Sequence, residues 1–204
     1  MYFQKTFTPA NENLTGFASN VTGASFTLTA NSSGDSLAHQ VSIRNDSATD
    51  HSGKTITLVG TDPDGKALIE VVTGPAGSAT VESTGYFLTL TSATPSATIG
   101  ADTFDIGWVD EFATKTIPID WRGGQAALDI NVTGTINYSV QETFDDIQFK
   151  TAAFVWTADD ATTWTSQTID QTLLFHAHPK AIRIIANSYS SGASIVLSYT
   201  QRDK

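Results

Sequence analysis

Apolar side chains in this chain recur at every second position, in short runs separated by turn residues, a period that belongs to strands. The clearest stretch is Lys54 to Trp108. Thr55, Thr57 and Val59 alternate with Ile56, Leu58 and Gly60, and Asp62-Pro63-Asp64-Gly65 then supplies a turn. From Lys66 to Val72 the alternation resumes with Ala67, Ile69 and Val71 on one face, until Gly74-Pro75 and Gly77 break it. Tyr86, Leu88 and Leu90 mark a third run, and Thr103 to Trp108 a fourth. Such a succession predicts a β-meander, the unit of antiparallel sandwiches and jelly rolls.

The flanking segments carry the same texture. Tyr2 to Phe7 predicts an aromatic strand ended by Pro9, and Ser25 to Ala30 another, with Phe26 and Leu28 inward. Ala38 to Asn45 places His39, Val41 and Ile43 on one side. Strand signals pause between Asp110 and Pro118, then restart at Ala126–Val132 and Thr135–Thr143. They loosen between Thr143 and Thr168. Ala181–Tyr189 and Ala193–Gln201 predict a closing hairpin around Ser190-Ser191-Gly192. The expected fold is therefore all-β, with two antiparallel β-sandwich units of jelly-roll or immunoglobulin-like kind, residues 1–112 and 113–204.

Composition narrows the function. Of 204 residues, 40% are hydrophobic and only 16% charged, so the polar faces of the strands are mostly Thr, Ser and Asn. The formal net charge of −10 argues against binding a phosphate backbone or an anionic membrane. There is no cysteine, so no disulfide or thiolate chemistry. No apolar run reaches the ~18 residues of a membrane-spanning helix, and the first residues lack the apolar stretch of a secretion signal.

Candidate chemistry is thin. His176 and His178, two apart, would share a strand face with Asp170 nearby, yet no further ligand completes a zinc set. His39 and His51 stand apart and suggest structural roles. Asp62-x-Asp64-Gly65 starts like a calcium loop, but Thr73 stands where the closing Glu is needed, so the turn is the better account. Asp145-Asp146 and Asp159-Asp160 are adjacent pairs that would point opposite ways along a strand. Hydrolase elbows, P-loops and dinucleotide fingerprints are missing. The sequence thus predicts no catalytic residue, no metal site and no cofactor. Trp108 and Trp121 suggest core anchors. Trp156 and Trp164 flank an acidic loop and are expected to be exposed, where they could hold a partner or, as an alternative, stack on a glycan.

Gly60-Thr61-Asp62, Gly65, Gly74-Pro75, Gly77, the Thr89–Thr91 strand and Ile106-Gly107-Trp108 together resemble a pattern found in virion proteins of tailed bacteriophages. Gly134-Thr135-Ile136-Asn137-Tyr138, Thr143-Phe144-Asp145-Asp146 and Ala181-Ile182-Arg183-Ile184 are similar to segments of small phage structural proteins. The resemblance implies a non-enzymatic virion component, assembled in the host cytoplasm, that binds the major capsid protein or other virion proteins. A capsid decoration or cement protein is the first expectation, and a neck or tail component the second. The strand Tyr2 to Phe7, with Tyr2, Phe3 and Phe7, is expected to be free to join a neighbouring copy in a homo-oligomer, a trimer by analogy with cement proteins.

Overall fold

The computed structural model describes residues 2–119, 126–149, 154–158, 164–175 and 179–201. Among these residues the regular structure is all strand, paired antiparallel, in two compact units. One unit is Ala10–Phe112; the other joins Met1–Pro9 to Ala113–Lys204.

In the Ala10–Phe112 unit one sheet is built on β3 (Ala38–Asn45), which lies between β6 (Thr80–Phe87) and β8 (Phe104–Ala113), with β2 (Asn13–Val21) also on β8. Being central, β3 buries both faces, and Ala38, His39, Val41, Ser42 and Ile43 are all closed to solvent. The second sheet has the order β5-β4-β7, from Ala67–Thr73, Thr55–Thr61 and Thr89–Pro95. Its buried face, with Ile56, Leu58, Val72, Leu90 and Ala93, shares one core with Val41, Ile43, Phe104, Ile106 and Trp108 of the first sheet. Alternating sequence thus becomes a sandwich in which the β5-β4-β7 sheet keeps an outer face.

Ser25–Ala30 forms no strand. Phe26 is still buried, but the amides of Thr29 and Ala30 and the Thr29 hydroxyl all donate to the single carbonyl of Phe17, which no ladder would do. The Asp62 turn is as expected: its carboxylate accepts from the amides of Asp64 (2.9 Å) and Lys66 (2.8 Å).

In the other unit, β1 (Tyr2–Phe7), β14 (Ser194–Gln201), β10 (Ala126–Thr133) and β12 (Gln171–Leu174) form one sheet in that order. β11 (Ile136–Thr143) and β9 (Ile117–Pro118) both pair with β13 (Ala181–Tyr189). The expected hairpin of β13 with β14 is not formed. The turn exists, with Ala193 N–H bonded to Ser190 O at 3.0 Å, but β14 pairs with β1 and β10 while β13 pairs with β11. The chain arches from one sheet to the other there, and again between β10 and β11. Gly134 (φ +75°) and Gly192 (φ +78°) take the left-handed backbone the arches need. The arches lie side by side, Ser190 N–H donating to Thr135 O at 2.9 Å.

The sequence boundary puts residues 1–9 with the first unit. In the structure they belong to the second, because β1 completes the edge of β14 over six residue pairs, from Tyr2↔Thr200 to Phe7↔Ile195.

Candidate functional site

The N-terminal strand expected to be free for a neighbour is taken by its own chain. Phe3 stacks on its cross-strand partner Tyr199 with ring centroids 5.2 Å apart, and Phe7 is buried. Lys5 lies over the Phe7 ring at 5.0 Å, and Gln4 donates to Ser198 Oγ at 3.1 Å. Of the three aromatic side chains only Tyr2, 65% exposed, faces solvent. β1 remains an edge strand, and the charge of Lys5 makes that edge a poor template for further pairing.

The two tryptophans expected at the surface part company. Trp164 is only 2% exposed and packs on Phe175 at 5.0 Å, while its carbonyl accepts from Val140 N–H at 2.7 Å. It is a core residue. Trp156 is half-buried between Phe154 (6.0 Å) and the Arg183 guanidinium, which stacks at 4.5 Å and donates from Nε to Gln141 Oε1.

The polar clusters are closed on themselves. His39 has Nδ1 at 2.9 Å from Glu111 O and Nε2 at 2.8 Å from Asp35 Oδ2. Both neighbours are oxygen acceptors, so each ring nitrogen has a structural partner. Asp35 also accepts from Ala10 N–H (2.6 Å), Ser33 Oγ (2.6 Å) and Leu37 N–H (2.9 Å). Burial alone raises its pKa, but the bonds from His39, Ser33 and Ala10 outweigh burial and bring it down to about 2.

His51 meets one donor and one acceptor. The Lys54 ammonium donates to its Nδ1 at 2.9 Å and to Thr98 O at 2.8 Å, so Nε2 is left to donate to Asp102 at 2.9 Å. That bond holds the Asp102 carboxyl below its ordinary value. Arg44 bridges Asp46 (3.0 Å) and Asp105. Burial raises both carboxyls; amide and side-chain bonds, first that from Asn20 N–H, turn Asp105 downward, whereas contact with Asp105 leaves Asp46 raised.

Among the described residues no group of three or more His, Asp or Glu converges as a metal ion needs. The Asp145 carboxylate accepts from Val155 N–H, and that of Asp146 from Gln148 N–H, with Lys180 at 3.6 Å. Asp170 accepts from Val132 N–H. Trp121, Asp159, Asp160, His176 and His178 lie outside the described residues. An open groove of about 460 Å³, lined by Leu28, Thr29, Ala30, Asn31, Leu90 and Thr91, has no ionisable side chain in its wall.

The surface that sequence reasoning passed over is the outer face of the β5-β4-β7 sheet. Thr57 pairs with Val71 and Thr94, Val59 with Ile69 and Ser92, and Thr61 with Ala67 and Thr89, so these side chains share one face. Every outward residue so placed is Ala, Val, Ile, Thr or Ser. The one ionisable residue of the three strands, Glu70, points the other way, its carboxylate accepting from Thr84 N–H (2.7 Å) and Gly85 N–H (2.8 Å). The clue in the sequence was the alternation of Ala67, Ile69 and Val71, which marks a face without saying which way it looks.

No protein-family model and no curated protein matches the chain. Among solved structures it is similar to the major capsid protein P2 from bacteriophage PM2, with 12% sequence identity over 99% of this chain and 98% of that one and a TM-score of 0.21. At so low a score the fold assignment rests on the strand pairings themselves.

Proposed function

We propose that this chain is a non-enzymatic structural protein of a bacteriophage virion, and within that class a decoration or cement protein on the outer surface of the head. The observation that carries this reading is the uncharged, hydroxyl-bearing outer face of β5-β4-β7 in a chain of net charge −10. Threonine and serine keep a sheet soluble without charge, and a hydroxyl is buried against a neighbouring copy far more cheaply than an ion. A protein that acts in many copies gains from many modest contacts of this kind. The acidic chain suits the outside of the head, away from packaged DNA. The resemblance of its turn and strand motifs to those of tailed-phage virion proteins favours the same assignment. Both ring nitrogens of His39 and of His51 are occupied by structural partners, which supports a role without catalysis.

The partner on this reading is the major capsid protein or another virion protein. Labelling the chain on purified virions tests it. Copies distributed over the head support decoration. Copies confined to one vertex would move the assignment to the neck or tail, and absence from virions would overturn it altogether.

A further inference from the structure

We infer that the outer face of the β5-β4-β7 sheet is a homotypic contact, by which two copies of this chain meet face to face in a twofold pair. In the Ala10–Phe112 unit the large apolar side chains left exposed are Ile69, at 65%, and Val71, at 60%. They stand two residues apart on β5, side by side on the face that also carries Val59, Thr57 and Thr61. Exposed β-branched apolar residues grouped on one sheet face mark an interaction surface rather than scattered surface hydrophobes.

The chemistry of the face selects the occupant. A basic partner would find no carboxylate on it, and an acidic partner no cation. A second copy finds its complement. Each hydroxyl both donates and accepts, so two identical rows of threonine can satisfy one another, and the aliphatic side chains bury each other. Two copies at −10 also repel, so any contact between them is cheapest where neither brings a charge. An isologous twofold pair presents the same patch from both sides, which is what such a self-complementary surface suits.

Size sets the strength. Three strands about 4.8 Å apart and about 3.3 Å per residue give, over seven residues, a face of roughly 330 Å². A stable interface covers about 800 Å² per partner. The pair is therefore weak in dilute solution and forms when copies are crowded, as on a lattice. This inference deepens the head-surface assignment by naming the occupant of the same face, and its test needs only the chain itself.

Sedimentation equilibrium on the full chain tests it. A monomer–dimer equilibrium is expected, and it tightens in ~1 M salt because screening removes the repulsion between like-charged copies. The substitutions Ile69→Asp and Val71→Asp, both at exposed positions, are expected to weaken association at least tenfold with an unchanged circular dichroism spectrum. A second measurement uses the lack of native cysteine. Under oxidation Val71→Cys should give covalent dimers in at least tenfold higher yield than the exposed control Ala24→Cys. A chain that stays monomeric at every concentration and salt, or equal cross-linking at both positions, overturns the pairing. So does a doubly substituted chain that loses virion attachment with its self-association intact, which would assign the face to another protein.

Discussion

Replacing Asp35 by Asn isolates the contribution of one buried carboxylate. The carboxylate of Asp35 receives four donors, from Ala10, Ser33, Leu37 and His39, at 2.6 to 2.9 Å. An amide keeps one acceptor oxygen and turns the other position into a donor, so at least one of those donors meets a donor. The proton affinity gives a first magnitude. The carboxyl falls from 3.8 to about 2, and at about 1.4 kcal/mol per factor of ten this is roughly 2 kcal/mol of folding stability. Leaving a buried donor without its acceptor costs about 1–3 kcal/mol in general. The expected loss is thus about 1–3 kcal/mol, read as the difference in urea unfolding between the native chain and Asp35→Asn near pH ~6. The pH dependence follows from a depressed folded-state value. The advantage of the native chain is fully present above the ordinary carboxylate value and fades as pH falls through about 2. Asn does not titrate, so the gap between the two proteins should narrow by about 2 kcal/mol on acidification to pH ~2. A gap under ~1 kcal/mol near neutrality, or one that keeps its size in acid, would refute the account.

Trp164→Ala should cost about 3–5 kcal/mol in thermal or urea unfolding, whereas Trp156→Ala, which gives up a half-exposed stack on Arg183, should cost about 0.5–2 kcal/mol. Gly60→Ala places a methyl group against the Thr89 carbonyl and should destabilise by about 1–3 kcal/mol, seen as a lowered Tm. Deleting residues 1–9 should speed hydrogen exchange of β14 amides over Ile195–Thr200 and leave β4 amides unchanged, since β1 covers only the former.

What the sequence made legible was local. Period-two alternation located β4, β5, β10, β11, β13 and β14 because a strand with one dry face must alternate, and Asp62-Pro63-Asp64-Gly65 identified its turn because each residue has a separate backbone reason to be there. β2 was passed over because Asn13, Thr15 and Ser19 dilute its apolar positions, and β12 because four residues are too few to show a period. What stayed hidden was long-range. Nothing near Tyr2–Phe7 says that its partner is β14, and nothing near Gly192 says that the flanking strands leave for different sheets. Trp164 and Trp156 sit in equally irregular sequence, where no alternation distinguishes the buried indole from the half-exposed one. The closed polar clusters were equally invisible, since Asp102 reaches His51 across 51 positions and Glu111 reaches His39 across 72.

The pairing of β1 with β14 also sets a schedule for synthesis. Gln4 and Ser198, neighbours across the ladder, are 194 positions apart in the chain. At about 5–20 residues per second, the first strand waits roughly 10–40 s on the ribosome before its partner emerges. The strands of the Ala10–Phe112 unit are all translated well before that, so they have partners within reach while Tyr2–Phe7 still lacks its own. During that interval Tyr2, Phe3 and Phe7 are the segment most open to capture by a neighbouring polysome's chain, and Lys5 is the residue placed to discourage it.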